Sequence, residues 1–365
     1  MSLLARTRLP SPLLNATAHA RLLGQQGRRG LASAAPDRRV KIVDVSPRDG
    51  LQNERGGMVA TATKIELIRR LQDEAGVRCI EAGAFVSPKW VPQMGDTPDV
   101  LAGMPTRAGV TYPFLVPNAK GLETLLRLQG DMEAAGTAKK TDEIAIFTAA
   151  SEGFCRANTN CSIDESLDRL AGVASKAAEA GLRVRGYVSV VAHCPYEGRV
   201  DPRRAADVSR KLLEMGCYEV SLGDTVGAAS PSEMLAVLNE CTRFARPEQL
   251  AAHCHDTMGS GLSNVLAMVK AGVRTVDSAV GGLGGCPYSP GATGNIDTES
   301  VVYALQREGY ETGVDLEAAA KIGQWINEAL GKANGSSAGR AILARLAMAQ
   351  TKGKGEGNDQ RESRL

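Results

Sequence analysis

Two closely spaced histidines are the first residues of this chain that could do chemistry. The sequence HCHD holds His253 and His255 two positions apart, although the whole chain contains only four histidines. Residues i and i+2 of a β-strand project to the same face, so both imidazoles would point one way while Cys254 turns away. Two convergent imidazoles are typical of a metal-ion site, whereas a single histidine is more often a core residue.

Asp49 is the carboxylate that we expect to complete this site. It lies in SPRDGLQ, residues 46–52, directly after the apolar run VKIVDV. Two imidazoles and one carboxylate, with further oxygen ligands, suit an octahedral Mg²⁺ or Mn²⁺ better than a closed tetrahedral zinc site. Asp49 could instead be a turn residue before Gly50, but Arg48 adds a second functional group at the same strand end and favours the site.

A glycine-rich segment, GGLGGCPYSPGATGN at residues 281–295, carries the third signal. Six glycines in fifteen residues permit conformations that other residues avoid, and Pro287 and Pro290 stiffen the middle. Such a segment could bind phosphate through its backbone amides. A phosphate site has no need of Cys286, however, whereas a lid that brings this thiol onto the metal site would deliver a proton donor.

The elements that must position these residues follow a regular β/α rhythm. Eight short apolar runs are separated mostly by amphipathic stretches, one of which starts at the capping residue Ser162. Eight β/α units over about 270 residues predict a TIM (β/α)8 barrel, an α/β fold whose active site lies at the carboxyl ends of the strands. A doubly wound open sheet is the alternative, but the first strand lacks the glycine-rich phosphate turn of that fold. The runs begin at residues 40, 78, 110, 143, 182, 218, 249 and 274.

The segments around this barrel differ in composition. We expect the barrel to span residues 38–312, with a polar surface insertion at residues 127–143. Residues 313–350 contain two further helical patterns and predict additional C-terminal helices. Residues 351–365 are charged and glycine-rich, which predicts a flexible tail.

Both ends of the chain resemble targeting signals. Residues 1–37 carry five arginines and no acid before Asp37, which predicts a mitochondrial transit peptide, with a disordered arm as the alternative. The last three residues, Ser363, Arg364 and Leu365, are one conservative change from the peroxisomal signal Ser-Lys-Leu, and a chance match is the alternative there.

The overall composition argues against several classes of protein. A formal net charge of +2 gives no field that would attract nucleic acid or a membrane surface, and no apolar run reaches the roughly 18 residues of a spanning helix. The eight cysteines are scattered without a CxxC pair, which argues against a zinc finger and a disulfide scaffold. Apart from Cys286, we expect them to be small buried hydrophobic residues.

With these residues in view, the chain resembles the 3-hydroxy-3-methylglutaryl-CoA lyases from about residue 40 to residue 330. The resemblance rests on RDGLQNE, FVSPKWVPQMGD, MGCYEVSLGDT, HCHDTMG and the glycine-rich segment. It implies a barrel of the pyruvate carboxyltransferase-like type and a metal ion, Mg²⁺ or Mn²⁺, bound by Asp49, His253, His255 and Asn295.

The resemblance also implies roles for other residues. Arg48 would contact the acyl thioester, Cys286 would be the catalytic thiol, and Asp224 and Glu81 would belong to the polar groups at the strand ends, as catalytic and substrate-binding residues respectively. The reaction would cleave 3-hydroxy-3-methylglutaryl-CoA to acetoacetate and acetyl-CoA, as in ketone-body formation and leucine breakdown. The base that takes the hydroxyl proton stays open between Asp224, His253 and a water on the metal.

The expected partner is therefore a small acyl-CoA molecule, with no nucleic acid or membrane. The expected assembly is a homodimer in the mitochondrial matrix, with peroxisomal import as a second destination.

Three departures from the family pattern bear on substrate selectivity. Asp44 stands where Glu is common, residues 82–84 lack the usual hydroxyl groups, and His193 lies near a usual Gly.

Other classes with related residues are disfavoured. A Claisen-type acyltransferase of the isopropylmalate or homocitrate synthase kind would carry a further domain after the barrel, where only about 35 helical residues follow here. A non-haem iron oxygenase also uses two His and one Asp, but it gives no role to Asn295 or Cys286. A barrel that only binds a partner would not need the intact ligand set. A lyase for a longer 3-hydroxyglutaryl-CoA stays open.

Overall fold

A computed structural model describes residues 38–54, 56–285 and 294–362, with side chains through Thr351. The predicted transit peptide, Cys286 and the terminal Ser363, Arg364 and Leu365 lie outside the described residues. Within the described part, all eight predicted apolar runs contain β-strand, and most of the strand residues are buried.

The strands are Lys41–Asp44 (β1), Cys79–Ile80 (β2), Gly83–Ala84 (β3), Phe114–Leu115 (β4), Glu143–Ala149 (β5), Arg183–Ser189 (β6), His193–Cys194 (β7), Gly198–Arg199 (β8), Glu219–Asp224 (β9), Leu250–Cys254 (β10) and Thr275–Ser278 (β11). All but β7 and β8 form one parallel sheet that closes on itself, and β7 and β8 form a separate antiparallel pair. β1 pairs with β2 on one side and with β11 on the other, and the sheet continues through β10, β9, β6, β5 and β4 to β3. β2 and β3 are two parts of one predicted run, since only Glu81 and Ala82 separate them. The Glu81 N–H donates to the Asp44 carbonyl at 2.9 Å, and the Ala82 N–H donates to the Pro113 carbonyl at 2.9 Å. This shared strand closes the eight-stranded barrel, as predicted.

Helices cover the outside of the barrel and begin at recognisable capping residues. Ser162 starts one helix with a capping box, in which its hydroxyl accepts from the Glu165 N–H while the Glu165 carboxylate accepts from the Ser162 N–H. The same helix buries Leu167, Leu170 and Val173 at helical spacing against the sheet. The α-helices of the described residues are Thr61–Asp73 (α1), Thr97–Gly103 (α2), Ala119–Ala134 (α3), Glu152–Thr159 (α4), Ile163–Glu179 (α5), Pro202–Glu214 (α6), Pro231–Cys241 (α7), Gly261–Lys270 (α8), Thr298–Arg307 (α9), Leu316–Ala329 (α10) and Ser337–Glu362 (α11).

The two C-terminal helices hold the segment that follows the last barrel strand. Gly281 has φ of +63°, and its N–H donates to both oxygens of the Glu299 carboxylate at 3.0 Å. The Gly281 carbonyl accepts from Asn327 Nδ2 of α10 at 3.2 Å and from the Gly335 N–H at 3.0 Å. The start of the glycine-rich segment is therefore bonded to α9, to α10 and to the link before α11.

One sequence prediction, the surface insertion, is wrong. Residues 127–143 are not an insertion, because α3 continues to Ala134 and only the following link is irregular. The polar character arises because one face of α3 is in water while Leu125 and Gln129 are buried. The backbone of α11 continues to Glu362, and the flexible tail expected over residues 351–365 stays a prediction.

Other expectations agree with the structure. The seven described cysteines are all buried and free. In the described part of the chain, the helices are too short or too polar to cross a bilayer.

Candidate active site and metal centre

Three predicted ligands meet at the carboxyl end of the barrel strands. His253 lies on β10 and His255 directly follows that strand, while Asp49 lies in a short π-helical turn, Ser46–Gly50, after β1. Asp49 Oδ2 lies 3.8 Å from His253 Nε2 and 3.7 Å from His255 Nε2. All three side chains are buried, and one potential ligand atom from each lies within 4.8 Å of the others.

The hydrogen bonds of His253 fix which nitrogen faces the other ligands. His253 Nδ1 lies 3.1 Å from Asp277 Oδ2, and an ionised carboxylate can only accept, so Nδ1 carries the proton and Nε2 keeps its lone pair. That Nε2 lies 3.3 Å from His255 Nε2. A carboxylate behind a ligating imidazole is the usual support of a metal-binding histidine, so the donor set fits a divalent cation.

Arg48 lies beside this cluster and is bonded to two carboxylates. Its Nη1 donates to Asp49 Oδ1 at 2.7 Å, while Nε and Nη2 donate to Glu81 Oε2 at 2.9 and 2.6 Å. Tyr187 donates its hydroxyl proton to the same Glu81 oxygen at 3.1 Å. Glu81 Oε1 is buried and has no partner among the described residues. The predicted substrate-binding residue Glu81 therefore holds Arg48 in place and leaves one buried oxygen without a hydrogen-bond partner among the described residues.

Burial and charge act in opposite directions on these acids. Burial raises the pKa of the Asp49 carboxyl, but Arg48 and the two imidazoles more than offset this and hold that pKa well below its usual range. Asp277 behaves in the same way, because Arg185 and His253 outweigh its burial and lower its pKa. At Glu81, burial wins over Arg48 and the pKa is raised. The ligand carboxylate is thus ionised and ready to bind a cation at neutral pH.

Asn295 lies next to His255 in the backbone, at the far end of the glycine-rich segment. The two residues form an isolated antiparallel bridge, and Asn295 Nδ2 donates to the Leu283 carbonyl at 3.3 Å. The two ends of the segment are in contact here: a Cβ added at Gly294, which has φ of +98°, would lie 2.5 Å from the Gly284 carbonyl carbon. Asn295 therefore lies beside His255 in the backbone, and its role as a metal ligand stays a prediction.

Asp224 ends β9, as predicted, but its contacts are with its own loop. Its carboxylate accepts the backbone N–H groups of Gly227, Ala228 and Ala229 at 3.1, 3.3 and 3.1 Å. Burial raises its pKa against these bonds. These contacts indicate a structural role, and a catalytic role for Asp224 stays a prediction, as does any role of Cys286, which lies outside the described residues.

Several residues of the site were not predicted from the sequence. Gln52 Nε2 donates to Asp49 Oδ1 at 2.5 Å, and Asn53 Nδ2 donates to the Gly285 carbonyl at 2.9 Å. Arg185 donates to Asp277 and Tyr187 from inside the barrel. A signal did exist for Arg185 and Asp277, since each is a charged residue in the middle of an otherwise strand-forming run, where a buried charge needs a partner.

The comparisons with known proteins agree with this geometry. The HMGL-like family model matches residues 39–326. Hydroxymethylglutaryl-CoA lyase of Pseudomonas mevalonii is 52% identical over 308 residues, covering 84% of this chain and 98% of that protein. The mitochondrial hydroxymethylglutaryl-CoA lyase of Macaca fascicularis is 46% identical over 324 residues, covering 88% and 96%. The 3-hydroxy-3-isohexenylglutaryl-CoA/hydroxy-methylglutaryl-CoA lyase of Pseudomonas aeruginosa is 47% identical, covering 84% and 98%.

Solved structures show the same similarity. The crystal structure of hydroxymethylglutaryl-CoA lyase from Pseudomonas aeruginosa matches with a TM-score of 0.79 and 46% identity, over 85% of this chain and 99% of that one. An HMG-CoA lyase from Acinetobacter baumannii, solved in complex with coenzyme A and 3-methylmalate, matches with a TM-score of 0.77 and 32% identity, over 84% and 96%. On this sequence and structural similarity, the chain belongs to the HMGL-like family.

Proposed function

We propose that this protein is a metal-dependent carbon–carbon lyase that cleaves 3-hydroxy-3-methylglutaryl-CoA to acetoacetate and acetyl-CoA. The observation that carries the proposal is the meeting of Asp49, His253 and His255 beside Arg48 at the catalytic end of the barrel. Relatives of this chain at 46–52% identity carry the name of this activity.

Asp49, His253 and His255 would hold the divalent cation, Mg²⁺ or Mn²⁺, together with Asn295. When bound, such a cation acidifies a tertiary hydroxyl that coordinates it. The protein's own part is to keep the Asp49 carboxylate ionised and the ligands oriented: Asp277 fixes the proton on His253 Nδ1, and Arg48 with Gln52 fixes Asp49.

Arg48 would bind the thioester oxygen and stabilise the negative charge that grows on it as the carbon–carbon bond breaks. A guanidinium has five N–H donors, and the contacts described above use three of them. Two N–H groups therefore stay available for the substrate. The ion pairs to Glu81 and Asp49 hold the group at the site before substrate arrives.

Cys286 would donate the proton that converts the acetyl-CoA enolate to acetyl-CoA. Support comes from the described residues on either side: Gly285 is bonded to Asn53, and Asn295 lies beside His255. Cys286→Ser keeps the size but gives a poorer acid, so turnover should fall by roughly 10² to 10⁴, with metal affinity unchanged. Turnover near that of the wild type would favour phosphate binding by the backbone of the segment instead.

The direct test is to incubate the purified full chain with the thioester and Mg²⁺ and to measure acetoacetate. We expect product with the cation and none after treatment with EDTA, with activity restored by Mg²⁺ or Mn²⁺. Asp49→Asn, which keeps the size of the side chain but removes the ligand charge, should be inactive while its circular dichroism is unchanged. Acetoacetate formation in EDTA at the full rate would overturn the proposal.

Substrate length is the second arm of this test. The relative from Pseudomonas aeruginosa is named for both a short and an isohexenyl substrate, and Ala82 and Ala84 here are small and buried. A series of 3-hydroxyglutaryl-CoA thioesters with longer 3-alkyl groups should show kcat/KM highest for methyl. A maximum of kcat/KM at a longer 3-alkyl group would leave the reaction class unchanged and identify a longer thioester as the substrate.

We further propose a homodimer located in the mitochondrial matrix, with peroxisomes as a second destination. Relatives with mitochondrial names, such as that of Macaca fascicularis at 46% identity, support the first location, while the bacterial relative from Pseudomonas mevalonii is 52% identical. A reporter carrying residues 1–40 should enter mitochondria, and one ending in Ser363, Arg364 and Leu365 should enter peroxisomes. Light scattering of the purified chain should give twice the mass of 38.4 kDa.

A further inference from the structure

A chain of buried polar contacts runs under the metal ligands and returns to them. From Asp49 it passes through Arg48 to Glu81, at 2.7 and 2.6 Å, and from Glu81 to the Tyr187 hydroxyl at 3.1 Å. Tyr187 OH in turn lies 2.6 Å from Arg185 Nη1.

The second half of the chain leads back to the site from Arg185. Arg185 Nη2 donates to Asp277 Oδ1 at 2.7 Å, and Asp277 Oδ2 lies 3.1 Å from His253 Nδ1. His253 Nε2 faces Asp49, where the chain began. The contacts therefore close into a ring that joins two metal ligands from below, through β1, β6, β10, β11 and the strand formed by β2 and β3.

The direction of each hydrogen bond in this ring is set by chemistry. Arginine has only donors, so Tyr187 must accept from Arg185, and its single proton is then free to go to Glu81. Arg48 likewise donates to Glu81 and Asp49, and Arg185 donates to Asp277. The Tyr187 hydroxyl accepts from Arg185 and donates to Glu81, so beneath the ligands it joins the half that holds Arg48 to the half that holds His253. At the ligands themselves the two halves meet across the 3.8 Å between His253 Nε2 and Asp49 Oδ2.

We infer that Tyr187 is a positioning residue for the lyase reaction: its hydroxyl couples the placement of Arg48 to the placement of the metal ligand His253. Its ring supports the same function, because it lies edge-on to the His253 ring at 5.8 Å and under the Arg48 guanidinium at 5.4 Å. The inference rests on the proposed function, since it assigns a second residue to the same site. Removal of the hydroxyl would leave Arg185 and Glu81 each short of one partner and would break the hydrogen-bonded link between the two halves beneath the ligands.

Tyr187→Phe is the test, because it removes the hydroxyl and keeps the ring. Loss of support behind a metal ligand commonly costs ten- to a hundredfold in metal affinity or activity. We expect the Mn²⁺ dissociation constant, titrated by electron paramagnetic resonance without substrate, to rise about tenfold. We expect kcat to fall by a similar factor while KM for the thioester changes less than about twofold.

Tyr112→Phe is the matched control. Tyr112 is also a buried tyrosine whose hydroxyl is bonded on both sides, since it accepts from the Arg107 N–H at 2.8 Å and donates to Gln72. It makes no contact with the ring, so its loss should leave Mn²⁺ affinity and kcat within about twofold of the wild type. Tyr187→Phe values no worse than those of Tyr112→Phe would overturn the inference.

A double-mutant cycle tests the coupling itself. Asp277→Asn opens the ring at its other half, so Tyr187→Phe should then add less than a threefold further loss of Mn²⁺ affinity. If the double variant loses Mn²⁺ affinity by the full product of the two single-variant factors, the coupling is refuted. Partial misfolding does not obscure the result, because the Mn²⁺ stoichiometry counts folded sites while the dissociation constant reports their quality. If the wild type neither binds Mn²⁺ nor forms acetoacetate, the proposed function fails; if it does both and Tyr187→Phe is neutral, only the coupling fails.

Discussion

Arg185 is the largest fully buried side chain of the described residues, and its replacement by methionine should cost the fold a large free energy. The side chain is 0% exposed, and it is bonded to Glu219 at 2.7 Å and to Asp277 at 2.7 and 3.2 Å. Methionine has a similar length and can fill the space, so the effect of Arg185→Met reports mainly the loss of charge.

The expected loss of stability depends on the hydrogen bonds that Asp277 and Glu219 keep after Arg185 is replaced. Removing one partner of a buried ion pair costs about 3–5 kcal/mol, because the remaining charge is left without compensation. Asp277 still accepts from Ser221 at 2.7 Å and from His253. Glu219 still accepts from Thr275 at 2.6 Å and from Lys41 at 3.2 Å. We therefore expect the lower end, about 3 kcal/mol, or roughly two orders of magnitude in the folding equilibrium.

The assay is equilibrium unfolding in urea, followed by circular dichroism at pH 7 in EDTA so that metal binding does not contribute. Arg210→Met is the control, because Arg210 is 45% exposed and pairs with Asp207 and Glu214 on the surface of α6. Exposed pairs contribute about 0–1 kcal/mol. If Arg185→Met loses no more than about 1 kcal/mol beyond Arg210→Met, the buried ion pairs do not stabilise the barrel in the way argued here.

Three further predictions concern separate parts of the site. Burial raises the pKa of Asp44 to about 6 from an ordinary 3.8, so the folded state binds this proton more tightly than the unfolded chain does. The stability that the protonated carboxyl contributes is complete below about pH 4 and is lost as the pH rises through about 6. In Asp44→Asn the free energy of unfolding should therefore fall by up to about 3 kcal/mol less between pH 4 and pH 7 than in the wild type, measured by urea unfolding. An unchanged pH dependence would show that Asp44 does not carry the raised pKa. Gly294→Ala should lower turnover strongly, because the added Cβ would lie 2.5 Å from Gly284 backbone at a φ that favours glycine; near wild-type kinetics would show that the segment tolerates the shift. Asp49→Ala should weaken Mn²⁺ binding at least tenfold with unchanged circular dichroism, and normal turnover at limiting metal would exclude Asp49 as a ligand.

The strands and the cluster of Asp49, His253 and His255 could be predicted because their signals are local. Each apolar run is read directly from consecutive residues, and the pair His253 and His255 follows from the two-residue period of a strand. Asp49 could be added because every strand of a parallel barrel delivers its end to the same side. None of these inferences requires the order of the strands in the sheet.

The ring under the site could not be predicted because its members are distant in sequence. Tyr187 and Glu81 are 106 residues apart, and Arg185 and Asp277 are 92 apart. Only the closed order of the strands brings them together, and composition does not give side-chain direction inside a barrel. The incorrect prediction of an insertion at residues 127–143 arose from a local signal, because the exposed face of α3 has the same composition as a loop.

The bonds at Gly281 bear on how far this barrel can be treated as a module. A boundary at residue 312 separates barrel from C-terminal helices by sequence, yet Asn327 and Gly335 supply both partners of the Gly281 carbonyl. A chimera that joins this barrel to another protein's C-terminal helices would leave that carbonyl buried without its donors at the root of the glycine-rich segment. The smallest portable unit of this enzyme therefore includes the helices as well as the barrel, and shuffling between relatives should exchange the glycine-rich segment, α10 and the link to α11 together.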